Sequence, residues 1–356
     1  VLSLVGSEMC IRDRGDTGRI FNDNFEFVVT DTQKHAGLIV HHGKLVGGEI
    51  REGETCTAAV DTERRQALCR AHSATHILHH ALHKNVGRHA EQQGSKVEAD
   101  RLRFDFSNPK AIPDETLVKI EEDVLDLVGS SQPIRWDDVS LADARQSGAM
   151  MLFGEKYPDP CRMVSMGEFS RELCGGTHLT NTGQVNAFEI VVEESVSTGT
   201  RRIEALTGER AEEHRKQTRE LLQKVAEQLG CEPGQGLAAT MQLMDEIRRL
   251  KKDLAAGKAN EYSESFQYAG EGSVIDLDDY HAVRAAVRDI TRRLNVSIDD
   301  VVDRLASLLS DRDGLVRELK QSTAGGKLSV DDLIAQGELI GETLLIVAET
   351  PGANPN

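Results

Sequence analysis

The sequence predicts an α+β fold, on three observations. Short glycine-punctuated segments fill residues 15–60, helical and alternating segments succeed one another through 61–210, and the chain after Gly208 reads almost wholly as helix. The expected order is a small β-barrel, a core of helix packed on antiparallel sheet, a helical or coiled-coil segment, and an incomplete α/β C-terminal domain. The corresponding boundaries are 1–14, 15–60, 61–210, 211–273 and 274–356.

Residues 1–14 have no clear period and do not lead into the strand-like segments after them, so they are expected to be a non-native leader outside the fold. In 15–60, Gly15, Gly18, Gly37, Gly43, Gly47, Gly48 and Gly53 separate strand-like segments at 25–30, 37–41 and 55–60, the pattern of a barrel with tight turns. The stretch 61–86 is rich in Ala and Leu and free of Gly and Pro, which predicts a helix. Alternation at 97–106 predicts a strand with Arg103 and Asp105 on one side. Pro113 opens a helix through 128, with Leu117, Ile120, Val124, Leu125 and Val128 on its apolar face. A strand at 133–140, a short helix at 141–147 and strands at 161–169, 187–193 and 200–206 complete this region.

A helix is expected at 209–230, broken at 231–236. The next one carries Leu243, Ile247, Leu250 and Leu254 at the four-and-three spacing of a coiled-coil seam. Residues 256–273 read as a Gly, Ser and Glu linker, followed by helices at 278–294, 298–320 and 330–336. The apolar run 344–348 reads as a buried parallel strand, which normally feeds a helix and further strands, so the last domain is expected to be truncated.

Two short motifs carry chemistry. His72 and His76 lie four apart on the first long helix, so their rings stand over successive turns and can converge on one ion. About a hundred residues on, Cys174 and His178 flank Gly175 and Gly176, which read as a tight turn returning a thiolate toward an imidazole. Three His and one Cys suit tetrahedral zinc. Four protein ligands close a site, which favours a structural ion, so structural and catalytic zinc both stay open. The neighbouring His79, His80, His83 and His89 are expected to be a solvated face.

Composition bounds the rest. A 39% hydrophobic content supports ordinary globular cores, and no apolar run reaches membrane-spanning length. The six cysteines show no paired framework, which fits a reducing compartment, the cytoplasm. A net charge of −17 argues against a broadly basic, nonspecific nucleic-acid binder. Local patches remain as candidates at Arg64 with Arg65, Arg101 with Arg103, Arg201 with Arg202, and Arg248 and Arg249 with Lys251 and Lys252.

Six ordered motifs carry a family resemblance. They are 17–25 in the barrel, His72-Ser-Ala-Thr-His76, the strand 102–106, 152–157, Glu172-Leu-Cys-Gly-Gly-Thr-His178, and Arg201-Arg-Ile-Glu-Ala205. Together they closely resemble the editing domain of alanyl-tRNA synthetase over about residues 15–210, and the C-terminal part looks like the same family's coiled coil and the start of its last domain. The resemblance implies hydrolysis of tRNA(Ala) mischarged with serine or glycine, with zinc on His72, His76, Cys174 and His178. It further implies that Thr75 touches the amino-acid moiety and that Gln92 is a polar pocket residue. The plain alternatives are that Thr75 only bonds back to a helix carbonyl and that Gln92 is merely exposed.

Three departures from the family pattern accompany it. The ATP-dependent catalytic domain that would ligate alanine and the tRNA-recognition domain do not precede this region, residues 1–14 replace a Ser-Gly-Gly-Gln motif, and the last domain stops after one strand. An internal fragment with a foreign leader is the expectation. Two other functions fit the same residues: a noncatalytic zinc-stabilised tRNA-binding or oligomerisation module, and a freestanding trans-editing hydrolase, against which the long helical tail counts. The helical C-terminal region is also the expected surface for homo-oligomer formation.

Overall fold

The structure is a computed structural model. It describes residues 15–35, 38–151, 157–258 and 260–324, and the backbone of two strands at 338–340 and 343–345. The expected leader 1–14, most of the motif 152–157, the helix at 330–336 and residues 346–348 lie outside the described residues. The chain divides into two units, Val1–His214 and Arg215–Asn356.

The first unit opens with β1 (Gly18–Phe21), β2 (Phe25–His35), β3 (Leu38–Gly48) and β4 (Thr57–Val60). They form one antiparallel sheet in the order β3-β2-β1-β4. The expected closed barrel is not there: β3 and β4 are the two edges of an open sheet. The reason lies in the burial pattern, since β3 has no buried residue and hence no inner face to wrap around a lumen. Among the described residues, Ile20, Phe25 and Val29, with the partly buried Phe27 and Cys56, form a small core on this sheet.

Next comes α1 (Thr62–Asn85), started by Asp61, whose side chain accepts from the Arg64 amide at 3.1 Å. A hairpin of β5 (Gln92–Glu98) and β6 (Arg101–Ser107), α2 (Asp114–Gly129), β7 (Ile134–Val139), α3 (Leu141–Gln146), β8 (Cys161–Met166), β9 (Ser170–Leu173), β10 (Phe188–Ser197) and β11 (Thr200–Thr207) complete the unit's regular elements. Strands order as β10-β11-β6-β5 in one antiparallel sheet and as β7-β8-β9 in another. Helix α1 packs on β5, β6 and β11 and also against α2. Ala71, Ala74 and Ala81 let it approach closely, while Ile77, Leu78 and Leu82 interlock with Leu102, Phe104, Phe106, Ile120 and Val124. Each such fully buried large side chain contributes about 1.5–3 kcal/mol. Helix on antiparallel sheet is the α+β arrangement that periodicity predicts.

The candidate cationic patches of this unit are taken up internally. Arg65 pairs with Asp16, Arg101 with Glu204, Arg103 with Asp105, Arg201 with Glu193 and Arg202 with Asp105, while Arg64 donates to the Gly15 carbonyl. Arg103 and Asp105 share one side of β6, as alternation requires.

Helix α4 (Gly208–Leu229) places Ala211 in the first unit and Leu221, Leu222, Val225 and Leu229 in the second. The second unit adds α5 (Gly236–Ala255), α6 (Tyr280–Leu294) and α7 (Val301–Ala324), with β12 (Glu338–Ile340) antiparallel to β13 (Thr343–Leu345). The terminal strand is therefore half of a short antiparallel hairpin, not a lone parallel strand. The coiled-coil seam is used inside the unit: Leu243 and Ile247 join the core with α6 and α7, and Leu250 and Leu254 pack with Val316 and Leu319. Residues 256–273, linker-like in composition, are tied down through Tyr262, which donates to Asp253 at 2.6 Å, and through Gln242, which pairs with the backbone of Gln267 and Ala269.

Candidate metal centre

Helix α1 brings His72 and His76 over one another, their rings stacked with centroids 5.4 Å apart. The loop after β9 delivers Cys174 and His178 to the same point. His178 sets its ring 4.3 Å from that of His72 and 4.9 Å from that of His76. The Cys174 sulfur lies 3.3 Å from His72 Nε2 and 3.4 Å from His178 Nε2. One donor atom from each of the four residues falls within 4.8 Å of the others, and among the described residues this is the group that could hold a metal ion.

Neighbouring contacts aim the donors. Ser73 Oγ meets His178 Nδ1 at 3.3 Å and accepts the Leu179 amide at 3.1 Å, which fastens the loop to α1 and leaves His178 Nε2 facing Cys174. Glu172 Oε2 lies 2.8 Å from His76 Nδ1. Arg162 Nη1 donates to the Gly176 carbonyl at 2.6 Å, and the Gly176 amide approaches the Cys174 sulfur at 3.5 Å. A Cβ on Gly176 would sit 1.9 Å from His72 Cε1, whereas one on Gly175 would meet nothing within 4 Å. The segment between Cys174 and His178 brings the Cys174 sulfur and His178 Nε2 together, as the sequence predicts, with neither glycine at positive φ. Gly176 is required by the approach of the His72 ring, and Gly175 is not required by space.

The electrostatics suit a cation. Burial first, then the neighbouring His72, His76 and Arg162, push His178 well below the ordinary imidazole value, so it is neutral and can offer a lone pair at neutral pH. Burial pushes the Glu172 carboxyl up, but the charge and hydrogen bond of His76, joined by His79, outweigh it and hold the group well below the usual carboxylate range. The residues fit an ion: four donors converge, the far nitrogens of His76 and His178 meet Glu172 and Ser73, and the glycine at 176 leaves room for the His72 ring.

A cavity opens beside the four donors, lined by Thr75, His79, Gln92, Ser95, Met150, Glu172 and Leu173. Thr75 and Gln92, separated in the sequence by a helix end, thus reach one wall. Thr75 Oγ1 donates to the Ala71 carbonyl at 2.8 Å, the helix back-bond that the plain alternative foresees, so only its lone pairs face the cavity. Gln92 is half-buried rather than exposed and donates to Ser95 Oγ at 2.9 Å.

The histidines after the motif are not one solvated face. His79 is 2% exposed, His80 and His83 are half-buried, and only His89 is exposed. Sheet and α2 together cover most of the circumference of α1, which helix periodicity alone does not reveal. Glu172, Ser73 and Arg162 had no assigned role in the sequence. A signal existed for Glu172, a carboxylate two residues before the candidate ligand Cys174.

The family described as "Threonyl and Alanyl tRNA synthetase second additional domain" matches residues 161–204. An alanine--tRNA ligase of Rhodopirellula baltica is 71% identical over 345 residues, covering 96% of this chain and 36% of that protein. The alanine--tRNA ligase of Idiomarina loihiensis is 33% identical, covering 96% of the chain and 39% of that protein. That of Pelotomaculum thermopropionicum is 44% identical over 68% of the chain and 28% of its own length. The chain spans about a third of the length of the curated relatives it matches.

Proposed function

We propose, for a chain that belongs to the alanine--tRNA ligase family, that its first unit hydrolyses tRNA(Ala) wrongly charged with serine or glycine. The observation that carries this reading is the cavity that Thr75 and Gln92 line together with His72, His76 and Cys174, three of the four convergent metal-ligand donors. Zinc is the proposed ion, held by His72, His76, Cys174 and His178, because three imidazoles and a thiolate form its preferred tetrahedral set. Bound there, zinc supplies Lewis acidity or, with four protein ligands, fixes the loop against α1.

The chain's own residues do the rest. Hydrolysis adds water to the aminoacyl carbonyl and breaks the ester C–O bond, the proton of the water passing to the departing ribose oxygen. Thr75, already donating to Ala71, can only accept, so it would receive the hydroxyl hydrogen of a seryl group. Gln92, anchored on Ser95, offers an amide oxygen to the substrate's polar groups. A site that hydrogen-bonds the added hydroxyl can reject the analogue that lacks it, which spares the correct alanyl ester. We expect Thr75→Val to narrow the ratio of seryl to alanyl ester hydrolysis by about tenfold, near 1.4 kcal/mol. Parallel deacylation rates on the two esters measure it, and an unchanged ratio leaves Thr75 as a helix residue.

Deacylation of seryl-tRNA(Ala) by the purified chain, lost in His72→Ala, tests the whole reading. A chain that binds the tRNA and zinc but leaves the ester intact supports the second reading, a noncatalytic zinc-stabilised tRNA-binding module, which the closed four-ligand set favours. Homo-oligomerisation belongs to the same proposal, on a face other than the internally buried Leu243–Leu254 seam; sedimentation velocity decides it. No described helix is long and apolar enough to cross a membrane, and a cytoplasmic location accompanies the proposed tRNA substrate.

A further inference from the structure

We propose that Glu172 is the positioning residue of the His72, His76, Cys174 and His178 centre: its Oε2 selects the tautomer of His76 and its charge offsets that of the bound cation. The inference rests on the metal reading above and asks what sets the affinity of that centre.

Glu172 is the third residue of β9, on the same side of the strand as Ser170 and two residues before Cys174 in the loop that follows. That placement drives a carboxylate into a wall where its side chain is only 10% exposed. Burying a carboxylate is costly unless it is paired and hydrogen-bonded. The partners are His76 Nδ1 at 2.8 Å on Oε2 and Ser170 Oγ at 3.2 Å on Oε1. His79 Nδ1 lies 3.6 Å from Oε1, too far for a hydrogen bond but close enough to share charge.

Chemistry then separates Glu172 from the other group that touches a ligand ring. An ionised carboxylate only accepts, so His76 must carry its hydrogen on Nδ1 and keep the Nε2 lone pair for the centre. Ser73, which meets His178 Nδ1, has a hydroxyl able to donate or accept and therefore tolerates either tautomer. Of these two contacts, only that of Glu172 dictates. Its charge also counters the ion: a divalent cation with three neutral imidazoles and one thiolate leaves one positive charge in a buried place that already has the Arg162 guanidinium at its edge, and Glu172 sets a negative charge against them. The same carboxylate leaves His79 on the cavity wall with neither ring nitrogen hydrogen-bonded among the described residues.

The test uses the full chain with Glu172→Ala and Glu172→Gln and two readouts independent of hydrolysis. Zinc affinity is measured by competition with a chromophoric chelator, and we expect Glu172→Ala to weaken it about 10–100-fold. Nitrogen-15 spectra of the metal-free protein, recorded at a pH where the imidazoles are neutral, report their tautomers; His76 is expected as the Nδ1–H form in the wild type and as a mixture in Glu172→Ala. Glu172→Gln keeps the volume and loses the charge, so it carries the affinity test if the alanine variant does not fold, with an expected loss of about tenfold. Wild-type affinity in both variants, or an Nε2–H tautomer at His76 in the wild type, overturns the proposal. A wild type that takes up no zinc overturns the metal reading instead, and the nitrogen spectrum then decides the role of Glu172 on its own.

Discussion

Two dense clusters of buried polar side chains, one in each unit, are built on opposite principles. In the second unit Arg312 is 1% exposed, yet its five N–H groups are all answered. Nε and Nη2 go to Glu246 at 2.8 and 2.7 Å, Nη2 also to the Ser263 carbonyl at 2.6 Å, and Nη1 to the Glu264 carbonyl at 2.9 Å and Asp313 at 2.8 Å. Donors and acceptors balance, so the cluster is complete as protein and serves to fasten residues 263–264 to α5 and α7. In the first unit three imidazoles and a thiol bring one ligand atom each within 4.8 Å of the others. Hydrogen bonds run among them, between the Cys174 sulfur and His72 Nε2 at 3.3 Å and His178 Nε2 at 3.4 Å, yet each of these groups can also give a lone pair to a cation. A guanidinium can only donate. That difference in chemistry distinguishes a strut from a candidate binding site.

The contrast can be broken by experiment, beginning with the largest expected effect. With zinc about a thousandfold above its dissociation constant, loading should stabilise the first unit by about 4 kcal/mol over the metal-stripped chain. Trp136, the single tryptophan and a β7 residue, reports this in denaturant titrations. Hydrogen exchange in α5 and α7 should not change. If both units respond alike, the clusters are not independent.

Conversely, Arg312→Ala removes the cation from a buried pair and should cost the second unit about 3 kcal/mol, seen as faster hydrogen exchange in α5 and α7. Zinc affinity should stay as in the wild type. The two neighbouring glycines sharpen the comparison within the metal centre itself. Gly176→Ala forces a methyl into the His72 ring and should cost about 2 kcal/mol together with weaker zinc binding. Gly175→Ala meets no atom and should remain within about 0.5 kcal/mol of the wild type.

The smallest effect concerns pH. Burial, then the hydrogen bond to Asp253, push Tyr262 up to about 12. The folded state thus holds this proton more tightly than the unfolded chain, in which tyrosine titrates near 10. Its stabilising contribution is complete below about pH 10 and is lost as the pH rises through about 12. Alkaline unfolding of the second unit should show a Tyr262-dependent step in this window, absent in Tyr262→Phe and visible in phenolate absorbance.

What could be read without coordinates was whatever depends on neighbours in the chain. The i, i+4 spacing of His72 and His76, the Gly-free run of α1, the apolar face of α2 and the shared side of Arg103 and Asp105 are local regularities, and each appears in the structure. Motif resemblance added the pairing of both ligand halves and the family. Composition misled where tertiary contacts override it. Glycine-rich strands at 15–60 form an open sheet because β3 lacks an inner face, and a Ser- and Glu-rich stretch at 256–273 is held in place by Tyr262 and Arg312.

By itself, then, the sequence determined which side chains share a turn or a strand face, and through them the identity of the four donors. Only the tertiary structure decided what stands between donors 102 residues apart, as Cys174 is from His72. It buried His79 by covering α1 with both sheet and helix, set Thr75 and Gln92 on one cavity wall, and turned Glu172 from a strand residue into the partner of His76. The physical reason is range. Helix and strand periods act over a few residues, while a buried polar group is defined by every chain segment that excludes water from it.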